Sequence, residues 1–147
     1  MHWLHERFKL AQEMKYLIMG LTCTFLISSC IEKETDFDFQ LVNSLKNSIK
    51  IEFYFDPKNE SETINDGDTL YSKVTYSNNI RPALNSKEFN QEFKILSIKV
   101  NDSFSVSKAN IDSLNLLTSW QYTHVEDIRY YQHHLYILTL TAERLGL

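Results

Sequence analysis

His124, His133 and His134 are the side chains of this sequence best suited to hold a metal or move a proton. Their spacing argues against both. Neighbours on a strand point to opposite faces, so His133 and His134 cannot share one ion without a bend, and no HExxH-type spacing accompanies them. Glu126 and Asp127 beside His124 have no spacing that would specify an acid-base pair. Asp66 and Asp68 flank Gly67 after Glu60 and Glu62, but the DxDxDG calcium pattern with its distant bidentate Glu is missing. No serine stands in a Gly-x-Ser-x-Gly or Ser-x-x-Lys frame, and there is no glycine-rich phosphate loop. The expectation is a chain that is not an enzyme and has no catalytic residues, metal ligands or cofactor.

The cysteines point elsewhere. Cys23 and Cys30 are the only two and both precede the body of the chain, which excludes a disulfide framework or a thiol-rich metal site there. Residues Met14 to Cys30 read MKYLIMGLTCTFLISSC: basic Lys15, an apolar stretch Tyr16 to Ile27, then Ser28 and Ser29. This is the tripartite order of a secretion signal. The apolar run is about a dozen residues, broken by Thr22 and Thr24, against the roughly 20 needed to span a bilayer.

Ile27-Ser28-Ser29-Cys30 resembles the bacterial lipobox, in which an aliphatic and two small residues precede a cysteine that is lipidated and becomes the new N-terminus. A thiol is nucleophilic enough to take a diacylglyceryl group as a thioether, and small flanking residues let extended backbone enter a peptidase cleft. Cys23 lacks the small pair. The resemblance implies that residues 1–29 are a signal peptide, 1–13 lying upstream of the start if Met14 is the true initiator. It also implies that Cys30 carries lipid and that residues 30–36 form a polar, acidic tether. A buried helix ending in Ser-Ser-Cys, or a signal cleaved elsewhere, is the plain alternative. The tether is similar to those of surface-displayed lipoproteins of Bacteroidota.

The elements of the body follow from period-two alternation. Phe37, Phe39 and Leu41, then Ile49, Ile51, Phe53 and Phe55, mark two strands separated by the turn residues Asn43 to Asn47, to be read as a hairpin or neighbouring strands. Asp56 to Asn59 ends the second run. Asp66-Gly67 signals a tight hairpin turn before a strand with Leu70, Ser72, Val74 and Tyr76 on one face. Ser77 to Ser86 breaks the pattern as a mobile loop, and Lys87 to Gln91 reads as a helical turn. Phe93, Ile95, Ile98 and Val100 shift register at Leu96-Ser97 as a β-bulge requires. After a turn at Asn101 to Ser103, Phe104 and Val106 continue the alternation, Asn110 to Gln121 reads as helix or loop, and Leu135 to Leu140 reads as a central strand covered on both faces.

A chain of 147 residues, 43% hydrophobic, supports one core rather than two. The expected class is all-β: a small antiparallel, Ig-like β-sandwich over 37–147, preceded by an N-terminal signal helix. The early strand pair, the Ile64 to Thr69 turn and the closing Thr139-Leu140-Thr141 strand resemble small β-sandwich lipoproteins of Bacteroidota, a likeness that imports no activity. The leader's Arg7, Lys9 and Lys15 against Glu6 and Glu13 give it +1, so the body carries −5 of the chain's −4. With no basic patch interleaved with aromatics, nucleic acid is not an expected partner.

Trp120, Tyr122, Tyr130 and Tyr131 are the candidate binding aromatics, although core packing is the ordinary use of such residues in a small sandwich. The expected role is that of a lipid-anchored envelope protein, on the periplasmic face of the outer membrane or the cell surface, binding a protein or a glycan. The alternatives are an assembly lipoprotein without a soluble ligand and, behind it, a hydrolase.

Overall fold

The computed structural model describes residues 32–147; Cys30 and the expected signal helix lie outside the described residues. Eight strands form two four-stranded sheets. In chain order they are β1 (Glu34–Asn43), β2 (Ile49–Phe55), β3 (Lys58–Ile64), β4 (Thr69–Ser77), β5 (Phe93–Val100), β6 (Phe104–Ser105), β7 (Gln121–Ile128) and β8 (Tyr131–Leu140). Two short helices, α1 (Ser86–Glu92) and α2 (Lys108–Leu114), lie in the connections, and a third, α3 (Ala142–Leu145), follows β8. The first sheet has the order β4-β1-β8-β7 and the second β3-β2-β5-β6. This is the all-β sandwich that the alternation implies, with one departure: β1 and β8 run parallel, joining the first strand to the last.

The two inward faces meet through Phe39. Its ring stacks on Phe93 of the opposite sheet, centroids 5.2 Å apart, and on Tyr136 of the neighbouring β8 at 5.5 Å. Phe37, Phe39 and Leu41 from β1 and Ile49, Ile51 and Phe53 from β2 are all but fully buried. Aromatic burial of this extent supplies most of the favourable free energy of a small sandwich.

Several elements differ from their sequence reading. β1 begins at Glu34, so it takes in the last three residues of the expected tether, and Thr35 and Asp36 are buried. β1 and β2 do not pair; they lie in different sheets. Asn43 makes that corner: its Nδ2 donates to the carbonyls of Asn47, Ile64 and Asn65, and its Oδ1 accepts from Leu45 N at 3.0 Å. A fully buried amide with all these partners turns the chain out of one sheet into the other. Gly67 sits in a tight turn at φ +74°, where a side chain would be strained, but the turn joins β3 of one sheet to β4 of the other and closes no hairpin.

β3 and β7 had no signal in the apolar alternation, because both are edge strands whose residues face mainly solvent. The bulge in β5 is where the alternation places it: Leu96 is skipped as Ser97 pairs with Glu52 and Ile95 with Phe53. β8 is central, yet only His134, Tyr136, Leu138 and Leu140 are buried; Leu135, Ile137 and Thr139 are half-buried, so its outer face is not fully covered.

Candidate functional site

Alternation along β1 sends Asp36 and Asp38 to the outer face of the first sheet, opposite Phe37 and Phe39. The register places Thr75 and Lys73 beside them on β4. Asp36 Oδ1 accepts from the Thr75 hydroxyl, and Oδ2 accepts from the Tyr131 hydroxyl at 2.6 Å and meets Lys73 Nζ at 2.6 Å. Burial by itself pushes this carboxyl up, but Lys73, Thr75 and Tyr131 together outweigh it and hold the group below its ordinary value. The same contact and burial drive the Tyr131 phenol far up, so it stays protonated and donates. One strand step along, His133 Nε2 lies 2.8 Å from Asp38 Oδ2. Every Asp36 oxygen is thus engaged, which suits a brace between β1, β4 and β8 better than a ligand site.

The inner face carries a second polar group. His134 is buried, stacked on Phe37 at 5.0 Å on one side and on His124 at 4.9 Å on the other, a ladder across β1, β8 and β7. Its Nε2 lies 3.0 Å from the Arg81 carbonyl and its Nδ1 2.9 Å from the Tyr122 hydroxyl. A carbonyl only accepts, so Nε2 carries the proton and Nδ1 accepts from Tyr122. Burial pushes the His134 imidazole below its ordinary value, against the opposing effect of the hydrogen bond it donates to the Arg81 carbonyl. Both nitrogens being committed, the ring fastens the Ser77 to Ser86 loop rather than serving a substrate.

That loop is tied down at other points. Arg81 N donates to Thr35 Oγ1, and Leu84 N donates to the Tyr136 hydroxyl at 2.7 Å. The Arg81 guanidinium lies 4.1 Å over the Tyr76 ring and within 3.8 Å of Glu92 and Glu88. Tyr76 donates a short hydrogen bond to Glu92.

The four candidate aromatics are not brought together. Trp120 belongs to the core: it is 6% exposed, edge-on to Phe93 and Phe89, with Nε1 donating to the Leu114 carbonyl. Tyr131 is spent on Asp36 on the outer face, while Tyr122 lies on the inner side and is 43% exposed. Tyr130 is at the β7–β8 turn, under the Arg129 guanidinium at 5.2 Å. Trp120 and Tyr131 therefore leave the candidate set as surface aromatics.

Large exposed hydrophobics occur singly at Tyr71, Leu116 and Phe104, and as a run along β7. All eight of its residues face solvent, Tyr122, Val125 and Ile128 among them. Among the described residues it is one of the two edges of its sheet, β4 being the other, and a bulge between His124 and Glu126 interrupts its pairing with β8. With Glu126 and Asp127 beyond the bulge, the edge is guarded against indiscriminate pairing while still offering apolar side chains. Among the described residues no group of three or more His, Cys, Asp and Glu is placed to hold a metal ion, and no helix is long and apolar enough to cross a membrane.

Lys73 had no part in the sequence reading, Asp36 entered it only as the end of the tether and Arg81 only as part of the Ser77 to Ser86 loop. Tyr131 lies 95 residues from Asp36 and nothing local marks it as a partner. No protein-family model matches the chain, and neither a curated protein nor a solved structure matches it.

Proposed function

We propose that this chain is exported, lipidated at Cys30 and held at the cell envelope, where its sandwich is a non-catalytic module that binds a protein partner along β7. The observation that carries the binding part is the exposure of the whole β7 edge, with Tyr122 at 43% and Val125 at 50% in a strand whose other side pairs with β8 on both sides of the bulge at Val125. An exposed aliphatic Val125 on the same strand as Tyr122 suits a protein surface better than a glycan, which needs a flat ring flanked by hydrogen-bonding groups. The free backbone row supports the same choice. The anchor rests on the lipobox resemblance and the thiol chemistry of Cys30.

Two measurements test it. Intact mass of protein from its native membrane is expected to show an acylated N-terminal Cys30 that is lost in Cys30→Ser; an unmodified, uncleaved chain overturns the anchor. A photo-crosslinking residue at 122 or 125, in native cells, is expected to yield one discrete protein adduct that is weakened by Val125→Asp and missing from position 63 on the opposite sheet. Equal adducts at all three positions, or none, overturn the binding role and leave an assembly lipoprotein without a partner at β7.

A further inference from the structure

β1 begins four residues after Cys30. At no more than about 3.6 Å per residue, the chain allows Glu34 to stand at most about 14 Å from the cysteine. β1 has ten residues and rises about 3.3 Å for each, so its Asn43 end lies about 30 Å farther on. On the lipoprotein reading proposed above, on which this step rests, the Glu34 end of the sandwich is therefore held against the bilayer and the Asn43 end away from it.

The side chains at the Glu34 end suit that position. Antiparallel β7 and β4 both bring their C-terminal ends here, and β8 starts here. The Glu34 amide donates to the Tyr130 carbonyl at 2.8 Å, and the Asn79 amide donates to the Lys33 carbonyl, so the β7–β8 turn and the loop after β4 are fastened beside the tether. The turn presents Ile128, 55% exposed, Arg129, and Tyr130 stacked beneath that guanidinium. Tyrosine, an aliphatic residue and a long cation able to lift its charge to the headgroups are the residue types favoured at a membrane interface. Lys33 and Arg129 offset Glu32 and Glu34, which leaves Asp127 as the one further carboxylate beside the turn, so the charge at this rim is small.

We infer that the β7–β8 turn, Ile128 to Tyr130, rests in the interfacial layer of the bilayer that carries the Cys30 anchor, and that this contact fixes the orientation of the sandwich. The opposite end, where Gly67 N donates to the Asn43 carbonyl, then faces away from the membrane, and the Tyr122–Val125 stretch of β7 stands clear of it.

The test uses the acylated protein, its mass first verified, in phosphatidylethanolamine–phosphatidylglycerol vesicles whose acyl chains are brominated near the headgroup. Tyr130→Trp is expected to lose most of its added tryptophan emission to bromine. Asp66→Trp, at the far end, and the wild type, whose Trp120 is in the core, are expected to keep theirs. Arg129→Trp serves as a second reporter if Tyr130→Trp does not fold. With Cys30 acylated, a reporter at 129 or 130 no more quenched than one at 66 overturns the docking alone. If Cys30 is found without lipid, the lipoprotein reading fails and the docking with it.

Discussion

Lys73 Nζ lies 2.6 Å from Asp36 Oδ2, and of the two only the carboxylate is buried: its side chain is 3% exposed and that of Lys73 54%. The asymmetry says which partner matters. A buried carboxylate needs its donors, whereas a half-exposed ammonium exchanges its partner for water at little loss. Asp36→Asn is expected to destabilise the sandwich by about 2 kcal/mol, and Lys73→Met by less than about 1 kcal/mol, both read from denaturant unfolding.

The same carboxylate sets an acid limit. Burial raises its affinity for a proton, but Lys73, Thr75 and Tyr131 reverse the balance, so the folded-state value lies below the unfolded 3.8. Its contribution is complete above about pH 4 and is lost as pH falls through the folded value. Melting temperature measured downward from pH 5 should decline more steeply in wild type than in Asp36→Asn.

His134 acts at milder pH. Burial, helped by His124 and His133 and opposed by the Arg81 carbonyl and Asp127, lowers its folded value beneath the ordinary 6.5. The unfolded chain then binds the proton more readily, so stability is complete above about pH 6.5 and falls as pH drops toward the folded value. Thermal melts at pH 7.5 and 5.5 should differ in wild type, and less so in His134→Gln, which retains an amide donor for the Arg81 carbonyl.

Asn115 replaces a missing strand. β6 is two residues long, and beside it Asn115 Oδ1 accepts from Ile95 N while Nδ2 donates to Ile95 O. Asn115→Ala leaves both backbone groups unpaired and is expected to cost about 3 kcal/mol. Asn115→Asp keeps the acceptor but sets a carboxylate against a carbonyl oxygen. It should also be destabilising, with amide exchange at Ile95 reporting the local opening in either variant.

Trp120 and Tyr122 are two residues apart and are expected to behave oppositely. Trp120→Ala opens a core cavity and should cost about 3 to 5 kcal/mol. Tyr122→Ala removes the hydroxyl partner of buried His134 and the ring contact with Tyr136 and should cost about 1 to 2 kcal/mol, yet abolish the crosslinked partner at β7. Unfolding and crosslinking measured on the same pair of variants check both.

Period-two alternation in Phe37 to Leu41, Ile49 to Phe55 and Leu70 to Tyr76 was enough to place these strands and their inward faces, because a half-buried strand writes its own burial into every second residue. The bulge at Leu96 and the turn at Asn101 to Ser103 were legible for the same local reason. β3 and β7 were not: at a sheet edge both faces of the strand meet solvent, and Lys58 to Thr63 and Gln121 to Asp127 have no apolar period to show.

Determined by the sequence itself, then, are a β-rich body and the identity of most core side chains. Left to the tertiary structure were the parallel pairing of β1 with β8, the splitting of β1 and β2 between sheets at Asn43, and the partners of Asp36 and His134. The physical reason is range. Alternation and turn chemistry act between neighbours in the chain, whereas a buried carboxylate or imidazole is satisfied by whatever groups the closed sandwich brings to it, here Lys73, Tyr131, Arg81 and Tyr122, from strands and a loop that only folding places side by side.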